Sequence, residues 1–195
     1  MRIDPPLPDI LLITPEPPEP ARFDLFLERL SHAVSSGVAL VQLRAKRLDA
    51  VAYRELAERA CAMCHRHAAR LVLNGPLPLE DALSVDADGV HLPSAQLMRC
   101  AARPSGAPSK LLSAACHSRE QLLHAQAIGV DFVTLSPVLP TASHPGEPTL
   151  GWPQFQALAA QVSMPVFALG GMTREALPAA RACGAYGIAG ISAFW

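Results

Sequence analysis

Gln42, Arg44 and Lys46 alternate along the segment VQLRAK, so their side chains share one side of an extended chain. An amide followed by two cations in that arrangement suits a diphosphate or a carboxylate. A charge pair on the surface beyond a strand is the plainer alternative. His91 and His117 each follow a short apolar run. An imidazole there could exchange a proton near neutral pH, or only satisfy a structural hydrogen bond. Gly170 and Gly171 close the run ALGG, and Gly190, Ile191 and Ser192 close GIAGIS. Unpaired backbone N–H groups at such turns, with a helix starting behind the first, form a seat for phosphate. Glycines there also serve tight turns with no ligand at all.

Two further stretches stand out. LSPVLPTASHPGEPTLGW, residues 135–152, carries Ser136, Thr141, Ser143 and His144 among its prolines, with no helical or strand period. Connections of this length are uncommon in compact domains, and this one reads as a lid. Cys61, Cys64 and His65 fit C-x-x-C-H, the c-type haem pattern, and with His67 they also invite a zinc reading. The surrounding DAVAYRELAERACAMCHRHAARL runs at helical spacing and puts both cysteines on one face. Haem attachment needs export, and no export signal is visible, so ordinary helix cysteines are expected.

These residues need a scaffold, and the chain supplies an alternation. Apolar runs at 9–14, 38–44, 70–74, 88–93, 110–116, 130–136, 164–171 and 185–192 read as buried strands. Segments 21–37, 49–71, 78–86, 94–102, 118–129, 152–162 and 173–184 read as helices. Eight such units predict an α/β fold, a (β/α)8 TIM barrel, formed by residues 1–195 as a single domain. An open doubly wound sheet is disfavoured, because no Gly-x-Gly-x-x-Gly follows the first strand. In a barrel every candidate above outside the cysteine-bearing helix falls at the C-terminal ends of strands or in the loops that follow them, where active sites lie.

After the eighth strand only AFW remains, so the barrel is expected to lack a full final helix. The apolar seam between strands eight and one then needs another cover: the MRIDPPLP arm, a fusion partner or, preferably, a second copy in a homodimer.

Composition narrows the function classes. The chain has 195 residues, half of them hydrophobic and 17% charged, which is a globular balance rather than a disordered one. A formal net charge of −1 argues against a nucleic-acid surface. No apolar run approaches the roughly 18 residues of a membrane span. Five cysteines, an odd number, and no leader at the first residues fit a cytoplasmic location.

VQLRAK, LVLN, ADGVHL, PVLPTASHPG, PVFALGGM and GIAGIS, in that order, resemble the thiamine phosphate synthase/TenI family over nearly the whole chain. PVLPTASHPG is most similar to the branch in which this barrel follows a Nudix hydrolase domain, though no Nudix segment is present here. The resemblance implies a barrel that binds the phosphate of a thiazole or thiamine at strands seven and eight. Its synthases join a pyrimidine diphosphate to thiazole phosphate with magnesium, and its TenI members tautomerise thiazole carboxylate phosphate.

Residue by residue, the resemblance assigns Gln42, Arg44 and Lys46 to the diphosphate side. It assigns Asn74 to an Asn-Asp pair, Thr141 and Ser143 to a lid motif, and Gly170, Gly171, Ile191 and Ser192 to the phosphate pocket. Four positions depart from the family. Gly75 stands for the Asp of the pair, and Gln96 for a second metal-binding Asp. His144 replaces a lid lysine, and Pro137 replaces the TenI catalytic histidine. Magnesium prefers anionic oxygen ligands, so it is expected only if synthase activity is retained. The expected function is a TenI-like, thiazole tautomerase-type protein of thiamine biosynthesis or salvage, with His91, His117 and His144 as catalytic candidates. A thiamine phosphate synthase and a non-catalytic phosphate-binding barrel are the alternatives.

Overall fold

The structure, a computed structural model, describes residues 6–104, 109–141 and 148–195. Strand and helix alternate from the start. β1 (Ile10–Ile13) leads through a 3-10 turn to α1 (Phe23–Ser35), β2 (Leu40–Arg44) to α2 (Ala50–Arg66), and β3 (Arg70–Asn74) to α3 (Leu79–Ser84). β4 (Gly89–Leu92) precedes α4 (Ser94–Leu97), and β5 (Leu111–Cys116) precedes α5 (Arg119–Ala127). β6 (Phe132–Leu135), α6 (Gly151–Ala159), β7 (Val166–Leu169), α7 (Leu177–Ala182) and β8 (Gly187–Gly190) complete the order.

All neighbouring strands pair in parallel, and β8 returns to β1 through Ile10–Ile188, Leu11–Ala189 and Leu12–Gly190. The result is a closed eight-stranded barrel ringed by helices. The elements lie where apolar periodicity predicts, with shorter ends. Local caps set two helix starts: Asp49 accepts from the Ala52 N–H at 2.8 Å, and Ser118 from the Gln121 N–H at 3.3 Å.

Alternation along each strand divides the apolar residues into two cores. Leu12, Val41, Leu43, Leu71 and Leu73 face outward against Phe23, Phe26, Leu30, Tyr53 and Leu56 of α1 and α2. Leu11, Ile13, Leu40, Val72, Phe132, Phe167 and Ala189 fill the lumen, with the Phe132 and Phe167 rings edge to face at 5.5 Å. Burying each such side chain contributes about 1.5–3 kcal/mol.

From Pro6 on, the described part of the N-terminal arm lies at the barrel bottom rather than at the β8–β1 seam. It plugs the bottom of the barrel: Leu7 joins the lumen cluster, the Tyr186 hydroxyl donates to the Leu7 carbonyl, and Arg70 donates to the Pro6 carbonyl at 2.6 Å.

After β8 the chain makes a turn, with the Phe194 N–H on the Ile191 carbonyl at 3.3 Å, and no final helix forms. Phe194 is buried against Gly190, with the Arg174 guanidinium 5.7 Å from its ring centre. The Trp195 ring meets Phe26 of α1 at 4.8 Å. Phe194 and Trp195 thus supply part of the cover that a final helix would give. Among the described residues the large apolar side chains left exposed are Leu25, Val51 and Met98, and none belongs to β8 or β1.

Candidate active site

Inward-facing positions near the strand C-termini turn polar above the apolar lumen. Leu40 is a lumen residue, so Gln42 and Arg44 on the same face of β2 also point inward. By the same alternation Val72 brings Asn74 with it, Leu111 brings Ser113, and Phe132 brings Thr134 and Ser136. His91, between outward-facing Val90 and Leu92, completes the ring from β4. The structure thus brings Gln42, Arg44, Asn74, His91 and Ser136 to one mouth, with Lys46 and His117 just beyond their strands.

Gln42 is 1% exposed, and its Nε2 has no hydrogen-bond partner among the described residues. A buried amide without an acceptor is costly, so this donor is poised for a ligand atom. Arg44 is fixed from β1, because its N–H donates to Thr14 Oγ1 at 3.0 Å. Glu16, in the loop after β1, accepts from the N–H groups of Lys46 and Arg47, both at 2.7 Å, and its other oxygen lies 3.7 Å from Arg44 Nη1.

A small cavity of about 20 Å³ opens between β3 and β4, lined by Tyr53, Asn74, Gly75, His91 and Gln96 among others. That volume holds one water molecule. The Tyr53 hydroxyl donates to the Leu43 carbonyl at 2.9 Å and accepts from the Asn74 N–H at 3.1 Å, joining β2 to β3. Burial pushes this phenol well above its usual range.

Magnesium does not fit here. Asn74, His91 and Gln96 supply neutral atoms, and the slot at Gly75 is filled by Tyr53, whose ring carbons lie 2.2–2.5 Å from where a Cβ would be. Among the described residues no three His, Cys, Asp or Glu side chains are grouped to hold a metal.

Of the three candidate histidines, the two among the described residues differ sharply. His91 is 5% exposed, its Nδ1 is 2.9 Å from Ser113 Oγ, and burial pushes it down to about 3. It is a neutral, structural imidazole at physiological pH. His117 is exposed and held at two points: its N–H donates to Gln121 Oε1 at 2.6 Å, and its Nδ1 lies 3.0 Å from the Ser136 carbonyl. A carbonyl can only accept, so Nδ1 is the donor, and in the neutral imidazole the lone pair then lies on Nε2. That is the arrangement of a general base. Ser136 Oγ, 3.3 Å from the same Nδ1, supports the ring.

Beside β6 the loop stem is anchored. The N–H groups of Val138 and Leu139 donate to the Leu169 and Gly170 carbonyls at 2.9 and 3.1 Å. Those of Leu150 and Gly151 donate to Pro137 and Val138, both at 2.9 Å. Gly170 and Gly171 adopt φ of 103° and 68°, and a Cβ on Gly171 would meet the Pro140 carbonyl oxygen at 2.7 Å. The double glycine is thus required by the turn and by the approach of the loop stem. Thr141 belongs to the stem, whereas Ser143 and His144 lie outside the described residues.

The N–H groups of Gly171, Ile191 and Ser192 have no acceptor among the described residues, and these three residues follow the C-terminal ends of β7 and β8. The helix expected at 173–184 is present but shorter: a 3-10 turn, Arg174–Ala176, runs directly into a six-residue α7. Pro178 lacks an N–H and can sit only in a first helical turn, so α7 starts late. An anion here would rest on backbone amides.

The haem and zinc readings of Cys61 and Cys64 find no support. Both thiols are buried in α2, pushed up to about 11 and about 12 chiefly by burial, and Cys61 donates to the Asp86 carbonyl at 2.6 Å. Sequence reasoning missed Glu16, Tyr53 and Ser113. Their roles depend on strand register, which no local motif records.

Residues 10–194 match the family described as "Thiamine monophosphate synthase". The chain is 38% identical over 169 residues to a protein of Aquifex aeolicus (strain VF5) named "Putative thiamine-phosphate synthase 2", covering 87% of this chain and 89% of that one. It is 35% identical over 177 residues to the thiamine-phosphate synthase of Salinispora arenicola (strain CNS-205), covering 89% and 84%. Its fold is similar to a thiamine phosphate pyrophosphorylase from Pyrococcus furiosus, with a TM-score of 0.73, 24% identity, and 94% and 85% of the two chains covered. No described helix is long and apolar enough to cross a membrane.

Proposed function

Because the chain belongs to the thiamine monophosphate synthase family, we propose that it serves thiamine biosynthesis or salvage by moving a proton on a phosphorylated thiazole, without magnesium. The observation that carries this reading is the His117–Ser136 contact, which commits Nδ1 to the carbonyl and assigns the lone pair of the neutral ring to Nε2 at the mouth. The backbone N–H groups of Gly171, Ile191 and Ser192 would hold the phosphate, and Gln42 Nε2 would donate to a ring or carboxylate acceptor. Arg44 and Lys46 would face a second anionic group of the same ligand. In this tautomerase-type reaction Nε2 removes a proton from one ligand atom. The resulting imidazolium returns a proton to another, so that atoms and charge balance without a co-reactant.

One observation favours a second reading. Gln42, Arg44 and Lys46 retain the pattern that the synthase resemblance assigns to a pyrimidine diphosphate, and the relatives carry the synthase name. The two readings separate in one assay. Thiazole carboxylate phosphate alone is incubated with the protein and chelator. In parallel, pyrimidine diphosphate and thiazole phosphate are incubated with magnesium. Isomerisation in the first and little coupling in the second is the expected outcome. Robust coupling that chelator abolishes would select the synthase. Ligand binding with no turnover in either would leave a non-catalytic barrel.

A further inference from the structure

We infer that Glu16 is a positioning residue for the basic arm of the site. The inference rests on the anionic-ligand reading of the mouth, and deepens it. Four consecutive backbone N–H groups of the arm are tied down: Arg44 to Thr14 Oγ1, Ala45 to the Asn74 carbonyl, and Lys46 and Arg47 to Glu16 Oε1. Of the three acceptors only Glu16 is charged. Two successive amides converging on one oxygen form a nest of the kind that binds anions. Here the anion is the protein's own carboxylate, held by two charge-assisted bonds of 2.7 Å. The nest is therefore closed to the ligand, and it fixes the backbone from which Lys46 projects.

The second carboxylate oxygen acts differently. At 3.7 Å from Arg44 Nη1 it is too far for a hydrogen bond, and both side chains are about a quarter exposed. It orients the guanidinium without saturating its donors, so Arg44 remains free to fork onto a ligand anion. The Glu16 loop follows β1 and the arm follows β2, strands paired through Ile13 and Gln42. The loop therefore sits beside the arm by topology rather than by sequence proximity.

The test uses inorganic pyrophosphate as probe, titrated calorimetrically without metal at fixed ionic strength, because the arm's charges are partly screened. Glu16→Ala removes both the acceptor and the charge, and should weaken pyrophosphate binding by about tenfold or more. Glu16→Gln keeps a carbonyl for the two amides without the charge, and should bind more weakly than the unaltered protein but clearly more tightly than the alanine variant. Glu16→Asp keeps the charge but falls short of the amides. It should behave like the alanine variant, and it replaces that variant if the alanine form does not fold. Lys46→Ala reports on the arm itself. If Lys46→Ala weakens binding and Glu16→Ala does not, Glu16 does not position the arm. If the glutamine variant is as weak as the alanine variant, charge on Arg44 rather than loop order is what matters, and the inference fails. Binding indifferent to Lys46→Ala would overturn the anionic-ligand reading and the inference with it.

Discussion

The Tyr53 ring occupies the space that any side chain at position 75 would need: a Cβ on Gly75 would lie 2.2 Å from Tyr53 Cζ. The ring is fully buried and hydrogen-bonded to both β2 and β3, so it cannot swing aside without breaking those contacts. An aspartate at position 75, with or without Gln96→Asp, is therefore not a route to a metal site. Gly75→Asp should destabilise the protein by about 1–3 kcal/mol or more through overpacking. Tyr53→Ala should also destabilise, but the double variant by less than the sum, with a coupling of about 1 kcal/mol or more. Chemical denaturation of the four proteins measures this. Additive effects would mean that position 75 is open.

His91 should make the protein acid-sensitive. Burial lowers its folded pKa to about 3, while the unfolded chain protonates it near the ordinary value of 6.5. Between those values the unfolded state binds the extra proton, so stability is lost as pH falls from about 6.5 toward 3, by about 1.4 kcal/mol per unit at most. The stability of the unaltered protein relative to His91→Asn should shrink steadily over that window, read from denaturation midpoints at several pH values. A difference that does not change with pH would contradict a neutral, buried His91.

The phosphate seat needs a probe other than Gly171. A side chain there would be strained at φ 68° and pressed on Pro140, so loss of binding in Gly171→Asp would report misfolding as readily as charge. Ser192 is exposed beside the same unpaired N–H groups. Ser192→Asp should cut affinity for a thiazole phosphate by about tenfold or more, while stability stays within about 0.5 kcal/mol. Unchanged affinity in a folded Ser192→Asp protein would place the phosphate elsewhere.

The barrel was legible because parallel strands are buried on both faces and read as short apolar runs. The register that matters for chemistry was not. Residues 94–102 look helical throughout, yet α4 ends at Leu97, and the N–H groups of Arg99 and Cys100 close turns on Gln96 and Leu97. The basic arm at Arg44 and Lys46 was visible in its alternation. Its partner Glu16, 30 residues away in PEPPEP, looked like part of a proline-rich connection. Gly75 read as a lost carboxylate, although its physical reason, Tyr53, lies one helix earlier and leaves no local pattern. His91 and His117 looked equivalent in sequence. Only burial beside Ser113 and exposure beside Ser136 tell them apart.

The central claim is that His117 moves a proton on a phosphorylated thiazole. Its most direct test is solvent deuterium incorporation into thiazole carboxylate phosphate, followed by NMR with chelator present, for the unaltered protein and for His117→Asn. The account predicts incorporation by the unaltered protein that chelator does not slow. It predicts a loss of about 10²–10⁴-fold in His117→Asn, with ligand affinity little changed. Incorporation that persists in His117→Asn, or that requires magnesium, would contradict it.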